Sequence, residues 1–484
     1  MHDGSHKNPK IQHRFRSVRQ VPMCRSTVSR ALGAALLSAA LAGCALYHAR
    51  PLPEQTDLAT KLAPLQVDVS KMQLPGLKPH GFDPVQGLDM TDAAILAVLN
   101  NPGLRTARSE AGAARAQAFA AGLLPGPELS ASRDVPSGNG NTPGLVTGRS
   151  VGIGYQLSSL FTRGAEQAAA EAGAKQADLQ LLWDEWQVAQ EARVLFVQCR
   201  MDQDKNALLG KLEQAMSERY AATQQALARG DVALDTVGTD LATLGDVQSR
   251  ASAAARDRNI ACRSLNELLG LAPEVQLQLL APDAPMDVTQ EEISTALAKL
   301  PQRRPDLVAL QFGYAAEDAQ VRRAVRAQFP AITLGVNRAN DTSDIRTHGL
   351  DLTLGFPFLF GGADTVHAEE ASRDALWQAY QQRLDESASE VQQLAADLAL
   401  LKTRLASLQT SAGDAEQIAQ SADAAYARGD LAAPAYYDLT ISALNRRLDT
   451  LDAQAEALDL HIALETLLGL PPEDLRHPID EAQP

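Results

Sequence analysis

Over residues 435–470 apolar side chains return at Leu444, Leu448, Leu451, Ala455, Leu458 and Ile462, at spacings of four, three, four, three and four. That is the heptad of a coiled-coil seam. No proline occurs from 144 to 272, so a long helix can run there without losing a backbone donor. Short alternating runs predict strands: Val151, Ile153, Tyr155 and Leu157 in one, Ile332, Leu334 and Val336 in another, Leu350, Leu352, Leu354 and Phe356 in a third, with a fourth over 128–133. Loops rich in Gly and Asn, 135–148 and 339–347, join them into two hairpins.

The pattern occurs twice. Ala228-Arg229-Gly230-Asp231 returns as Ala427-Arg428-Gly429-Asp430, and Leu268-Leu269-Gly270-Leu271 as Leu467-Leu468-Gly469-Leu470, both at an offset of 199. Pro102 and Leu104 match Pro305 and Leu307, Ala116-Gln117 matches Ala319-Gln320, and Leu160-Phe161 with Gly164-Ala165 matches Leu359-Phe360 with Gly362-Ala363. Two copies of one unit follow, 90–272 and 292–470, joined by a linker over 273–291 and trailed by a tail over 471–484. Each unit reads helix, strand, strand, long helix, turn, helix, which makes the protein mainly α with a small β part.

Helix lengths add geometry. A helix over 165–228 is about 96 Å long, whereas the returning helix over 232–270 covers only about 58 Å. A helix over 91–122, about 48 Å long, has the length to stack end to end on the shorter one and complete a second rod. The second unit repeats this with 363–427, 431–469 and 292–328. Each unit is expected to be two parallel rods of about 100 Å, with a β-hairpin at one end and a tight turn at the other. Four strands cannot close a barrel in lipid, where open edges are forbidden and the smallest barrels have eight strands. If the strands insert, two or three copies must pool them.

The N-terminus carries basic residues up to Arg25 and Arg30, an apolar run over 31–42, and Leu41-Ala42-Gly43-Cys44. The order is that of a secretory signal, and small residues before a cysteine resemble a bacterial lipobox. Cleavage after Gly43 and acylation of Cys44 are expected, and two or three acyl chains anchor firmly at about 0.8 kcal/mol per buried CH₂. Ala45 rather than Asp follows the cysteine, which in lipoproteins implies export to the outer membrane. Starting at Met23 would give a signal of ordinary length. Residues 44–89, with Pro51, Pro53, Pro64, Pro75, Pro79 and Pro84, read as an extended tether. Losing residues 1–43 takes the formal charge from −15 to −21, the wrong sign for a nucleic-acid partner.

Catalytic signatures are absent. Apart from His2 and His6 in the signal segment, the nine histidines form no His-x-x-x-His, and there is no paired cysteine ligand motif, phosphate-cradling loop or nucleophile elbow. No enzyme, cofactor or metal site is therefore expected, and Trp183, Trp186 and Phe196 read as packing. With Cys44 acylated, Cys199 and Cys262 lie 31 and 32 residues either side of Gly230. Antiparallel helices folding at that glycine bring them to one height, where they bridge if their Cα atoms come within about 7 Å. The alternative is two small buried hydrophobes. Leu398 and His461 occupy the matching places in the second unit.

The duplicated unit, with Asn101-Pro102-Gly103-Leu104, Ala114-Arg115-Ala116-Gln117, Leu123-Leu124-Pro125, Leu359-Phe360-Gly361-Gly362 and both Arg-Gly-Asp turns, resembles the TolC-like outer-membrane efflux proteins over about 90–470. The resemblance implies a homotrimer: a twelve-stranded β-barrel in the outer membrane continued by a twelve-helix α-barrel across the periplasm, docked to a periplasmic adaptor and an inner-membrane pump. It carries adaptor contact onto the tips Arg229, Gly230, Asp231 and Val232, and Arg428, Gly429, Asp430 and Leu431. It carries a periplasmic gate onto Asp235, Asp240 and Asp438, although Ala435 stands where several members have an aspartate and Pro434 intrudes nearby. Gly126-Pro127-Glu128-Leu129 is similar to an Asn-Pro-Glu-Leu stretch of heavy-metal efflux members, and acidic walls suit cations. Metal cations or small drugs are thus the expected cargo. A lipid-anchored coiled-coil scaffold without a channel, and a duct for type I protein secretion, are the alternatives.

Overall fold

In the computed structural model, residues 49–62, 65, 87–137, 144–282, 288–356 and 362–469 are described. The chain divides into two units, 1–56 and 57–484. The described part of the first, 49–56, has no helix or strand, and Cys44 and the signal segment lie outside the described residues. The account below concerns the second unit.

Its elements run α1 (Met90–Asn100), α2 (Pro102–Ala121), β1 (Glu128–Asp134), β2 (Gly148–Gln156), α3 (Ser158–Arg229), α4 (Leu234–Leu268), α5 (Gln290–Ala298), α6 (Leu300–Arg303), α7 (Pro305–Ala327), β3 (Ala331–Asn340), β4 (Arg346–Gly355), α8 (Gly362–Ala427) and α9 (Ala433–Leu468). The expected order appears in both repeats, with shifted boundaries. The long helix α3 starts at Ser158 rather than 165, and its 72 residues span about 108 Å. The helix expected over 91–122 is broken at Asn101, whose ψ of 125° is extended, because the residue before a proline is pushed out of the helical region. Asn101 instead caps α2 with its side chain, accepting from Leu104 N at 3.0 Å. In the second repeat Arg304 before Pro305 is extended for the same reason, and Lys299 makes a further break.

These breaks place the stacking. Asn101 Nδ2 donates to Leu268 O at 3.2 Å, so α4 ends against the start of α2. Gly469, just past α9, lies so close to Arg303 and Arg304 that a Cβ there would come within 2.9 Å of Arg303 O. The composite rods are therefore α2 on α4 and α7 on α9, and α1 with α5 and α6 forms a collar beside the junctions.

Helix α3 packs against α4 and α9 along its lower part and against α2 and α7 along its upper part, and α8 packs against α7 and α9. The order across the wall is thus α2/α4, α3, α7/α9, α8. The predicted heptad joins the two repeats: Leu444, Leu448 and Leu451 meet Leu208, Leu209, Leu212 and Met216 of α3, and Leu458 and Ile462 meet Val197. A second seam on α9, Ala453 and Ala457, packs on Leu401 of α8. One helix carries two seams, as a curved wall requires.

The two expected hairpins merge into one antiparallel sheet, β1-β2-β3-β4, because β2 and β3 also pair, with Ile153 opposite Val336. Side chains alternate faces along each strand. One face presents the row Leu129, Ile153, Val336 and Leu350 and the row Tyr155, Leu334 and Leu352. Leu129 and Leu350 are 78% and 80% exposed, so an apolar face is bare to its surroundings. The other face carries Gly, Ser, Thr and Asn, including Asn337, which donates to both oxygens of Asp351.

The segment read as a free tether is partly docked. Ala59 exchanges backbone hydrogen bonds with Gly270 and Ala272, and Leu88 with Gln278 and Leu280, laying 57–62 and 87–89 along the chain between the repeats. Leu88 joins Leu96, Phe196, Leu265 and Leu271 in the largest apolar cluster.

Candidate functional site

At the end opposite the sheet each long helix stops at a glycine. Gly230 and Gly429 both have φ of +78°, a left-handed conformation that costs a side chain about 1 kcal/mol or more. Each closes a Schellman turn, Asp231 N bonding Ala226 O and Gly230 N bonding Leu227 O, each at 2.9 Å, and Asp430 and Gly429 doing likewise with Ala425 and Tyr426. Arg229 Nε donates to Asp231 Oδ2 and Arg428 Nε to Asp430 Oδ2, both at 2.8 Å. The two tips are thus alike in backbone and in ion pair. Pro434, which the sequence suggested would disturb the returning helix, falls in the first turn of α9, where no helical donor is lost.

Above the tips the aspartates separate. Asp235 is exposed and, among the described residues, its carboxylate accepts only from the adjacent Thr236, at 2.7 Å from the backbone N. Asp240 is 3% exposed and is held from two sides, by Arg219 Nε at 2.9 Å and by Thr223 Oγ1 at 2.6 Å. Arg219 turns its Nη1 to Asp438 on α9. One guanidinium on α3 therefore clamps α4 of its own hairpin and α9 of the other. Next to it Tyr437 donates to Glu218 at 3.4 Å, and Tyr426 and Tyr436 stack with centroids 4.5 Å apart. The Asp423 carboxylate and burial push the Tyr436 phenol above its ordinary range, so it stays a neutral donor.

Arg219 and Thr223 were not singled out from the sequence, although a signal existed. Arg219 lies eleven residues before Gly230 and Asp240 ten after, the same equal-height relation that picked out the cysteines. The second repeat has Ile418, Ala422 and Leu439 where the first has Arg219, Thr223 and Asp240, so the clamp belongs to the first hairpin and reaches across to the second.

Higher on the same hairpin, Cys199 and Cys262 are joined by a disulfide, with Cα atoms 4.8 Å apart. The bridge ties α3 to α4 inside the largest apolar cluster. Leu398 and His461, at the matching places of the second repeat, are both buried. Trp183 and Phe196 are buried, and Trp186 donates to Thr466 O at 3.3 Å, tying α3 to the end of α9. Among the described residues no group of three or more His, Cys, Asp or Glu side chains is arranged to hold a metal ion, and no helix is long and apolar enough to cross a membrane.

Residues 296–470, nearly the whole second repeat, match the family model described as outer membrane efflux protein. Over those residues the chain is similar to outer membrane efflux proteins. Among solved structures, the outer-membrane channel OprN is 19% identical, with a TM-score of 0.66 over 89% of this chain and 100% of that one. The CmeC outer membrane channel of Campylobacter jejuni is 16% identical, with a TM-score of 0.66 over 88% and 95%. The open state of the MtrE outer membrane channel of Neisseria gonorrhoeae is 19% identical, with a TM-score of 0.61 over 88% and 98%. A comparison with curated protein sequences gives no match. At these identities the likeness establishes the fold, which this chain shares with those channels over 88–89% of its length.

Proposed function

We propose that the protein is the outer-membrane duct of a tripartite efflux system, a homotrimer that carries small toxic solutes, metal cations or drugs, across the periplasm and outer membrane. The observation that carries this reading is the sheet. It has an exposed apolar face, a polar opposite face, and two open edges, β1 and β4. Unpaired edges are not tolerated in hydrocarbon, and three copies of four strands close a twelve-stranded barrel. β3 and β4 have ten residues each, the length a tilted strand needs to cross a bilayer, and Phe161 and Phe329, 60% and 68% exposed, suit the interfacial rim. The helical wall, about 108 Å long in α3, would continue the barrel as a tunnel.

In this reading the Arg229-Gly230-Asp231-Val232 and Arg428-Gly429-Asp430-Leu431 tips meet the periplasmic adaptor, through which an inner-membrane pump supplies the energy. The Arg219 clamp on Asp240 and Asp438 holds the mouth closed, with Asp235 exposed beside it. Cys44 bears the acyl chains. The protein itself performs no chemistry and needs no cofactor.

Fractionation of a Cys44→Ala variant tests the duct reading. A protein whose strands cross the outer membrane stays in that membrane fraction without its acyl chains, whereas a lipid-tethered scaffold becomes soluble. Susceptibility of a deletion strain to divalent metals, dyes, detergents and antibiotics then sorts the cargo. Sensitivity to metals alone assigns cations, sensitivity to amphiphiles assigns drugs, and no change favours protein secretion.

A further inference from the structure

The strand registers segregate charge by face. Arg133 lies opposite Arg149, Arg149 opposite Asn340, and Asn340 opposite Arg346, while Arg338 lies opposite His348 one row nearer the helices. By alternation all five basic side chains share the face of Leu129, Ile153, Val336 and Leu350. Four of them are every arginine of the four strands, the fifth is His348, and all five are exposed. The strand acids, Glu128, Asp134 and Asp351, fall on the opposite face. The two acids of the β3–β4 turn are engaged within it: Asp341 Oδ1 accepts from Ser343 N and Ile345 N at 2.8 and 2.9 Å, and Asp344 Oδ1 accepts from Asn340 Nδ2 at 2.9 Å. No ion pair to a described carboxylate neutralises the row.

Position gives the row its meaning. The strands meet the helices at Glu128, Gln156, Ala331 and Gly355, and the arginines stand at the other end, directly above the apolar rows. With the sheet in the outer membrane, the apolar face looks at acyl chains and the arginine row sits at the headgroups of the outermost leaflet. Guanidinium groups bind phosphate bidentately. A single-sign row at a headgroup boundary is costly in neutral lipid and complementary to a densely phosphorylated one.

We propose that Arg133, Arg149, Arg338 and Arg346 form a binding surface for the phosphates of a lipid A-type glycolipid, gripping the outer leaflet around the barrel. The proposal rests on the duct reading, because only an inserted sheet brings the row to that leaflet.

The test uses the full-length protein purified in detergent, with bis-phosphorylated lipid A in mixed micelles as probe. Binding is read by native mass spectrometry and by a fluorescent lipid A displacement assay. Changing all four arginines to Gln should weaken binding at least about tenfold, while four Arg→Lys changes should retain most of it, since charge near a lipid surface carries the larger part of such attraction. Lipid A stripped of its phosphates should bind the wild type no better than it binds the Gln variant. Undiminished binding by the Gln variant, or equal binding of the dephosphorylated lipid, overturns the proposal. Equal binding of phosphatidylglycerol overturns the assignment to the glycolipid. Outer-membrane fractionation of the same variants separates the two levels: if the wild type fails to fractionate there the duct reading falls, whereas a Gln variant that fractionates normally yet still binds lipid A removes only the arginine surface.

Discussion

The guanidinium of Arg304 lies over the indole of Trp183, 4.9 Å from the ring centroid. Arg304 is fully buried. Its Nε and Nη2 donate to the two carboxylate oxygens of Asp306 at 3.0 and 2.6 Å, and its Nη1 donates to Ser387 Oγ at 2.7 Å. A residue at the break before α7 thus joins α3 of the first repeat to α8 of the second. Arg304→Ala would leave a void under Trp183 and strip Asp306 to its remaining partner, Arg383 at 3.0 Å. A loss of about 3–5 kcal/mol is expected, measured by denaturant unfolding. A loss below about 1 kcal/mol would show that the buried network is dispensable.

The Cys199–Cys262 bridge closes a loop of 63 residues that includes the first tip. Cross-linking a loop of that length restricts the unfolded chain, and disulfides of this kind contribute about 2–4 kcal/mol. Peptide mapping without reductant should recover the two cysteines in one linked fragment. Cys199→Ser with Cys262→Ser should lower the unfolding midpoint by an amount that reductant reproduces in the wild type. Two free thiols in protein isolated from the periplasmic side would contradict the bridge.

What the sequence disclosed follows from where its signals are redundant. The heptad from Leu444 to Ile462 recurs along its own helix, and the Arg-Gly-Asp turns and Leu-Leu-Gly-Leu motifs recur at a fixed offset, so the succession of helices and strands was legible, and the height arithmetic about Gly230 set Cys199 level with Cys262. The breaks at Asn101 and Arg304 were written there too, since each precedes a proline that can start a helix, but hydrophobic periodicity runs through both and hides them. Arg219 was missed because it has no counterpart in the second repeat, so that a search for shared positions passes over it. The merger of two hairpins into one sheet depends on β2 meeting β3 across 174 residues from Gln156 to Ala331, a long-range pairing no local pattern encodes.

The proposed gating role of the clamp can be told apart from a stabilising one. Asp438 is 60% exposed in its side chain, so Asp438→Ala should cost no more than about 1 kcal/mol while cutting the tie between α3 and α9. Arg219→Ala cuts the same tie and also leaves buried Asp240 without its cation, a loss of about 3–5 kcal/mol. Both variants should raise single-channel conductance in planar bilayers, and only Arg219→Ala should lower the melting temperature markedly. If Asp438→Ala conducts like wild type, the clamp holds the fold and not the mouth.

Glu185 provides a test in pH. It is 2% exposed on α3, with Oε1 accepting from Arg108 Nε and Nη2 at 3.0 and 2.7 Å and Oε2 finding no hydrogen-bond partner among the described residues. Burial raises its carboxyl above the ordinary 4.5, outweighing the pull of Arg108. A carboxyl whose folded value lies above its unfolded one holds its proton more tightly when folded, so ionisation opposes folding. The penalty is complete above the folded value and vanishes as pH falls below about 4.5. Glu185→Gln keeps an acceptor for Arg108 and removes the charge, so it should be more stable than wild type at pH 7. That advantage should hold above the folded value and shrink as pH falls through it toward about 4.5. A Gln variant less stable than wild type at pH 7, or a difference independent of pH, would mean that the Arg108 pair outweighs desolvation and that the charge supports the wall.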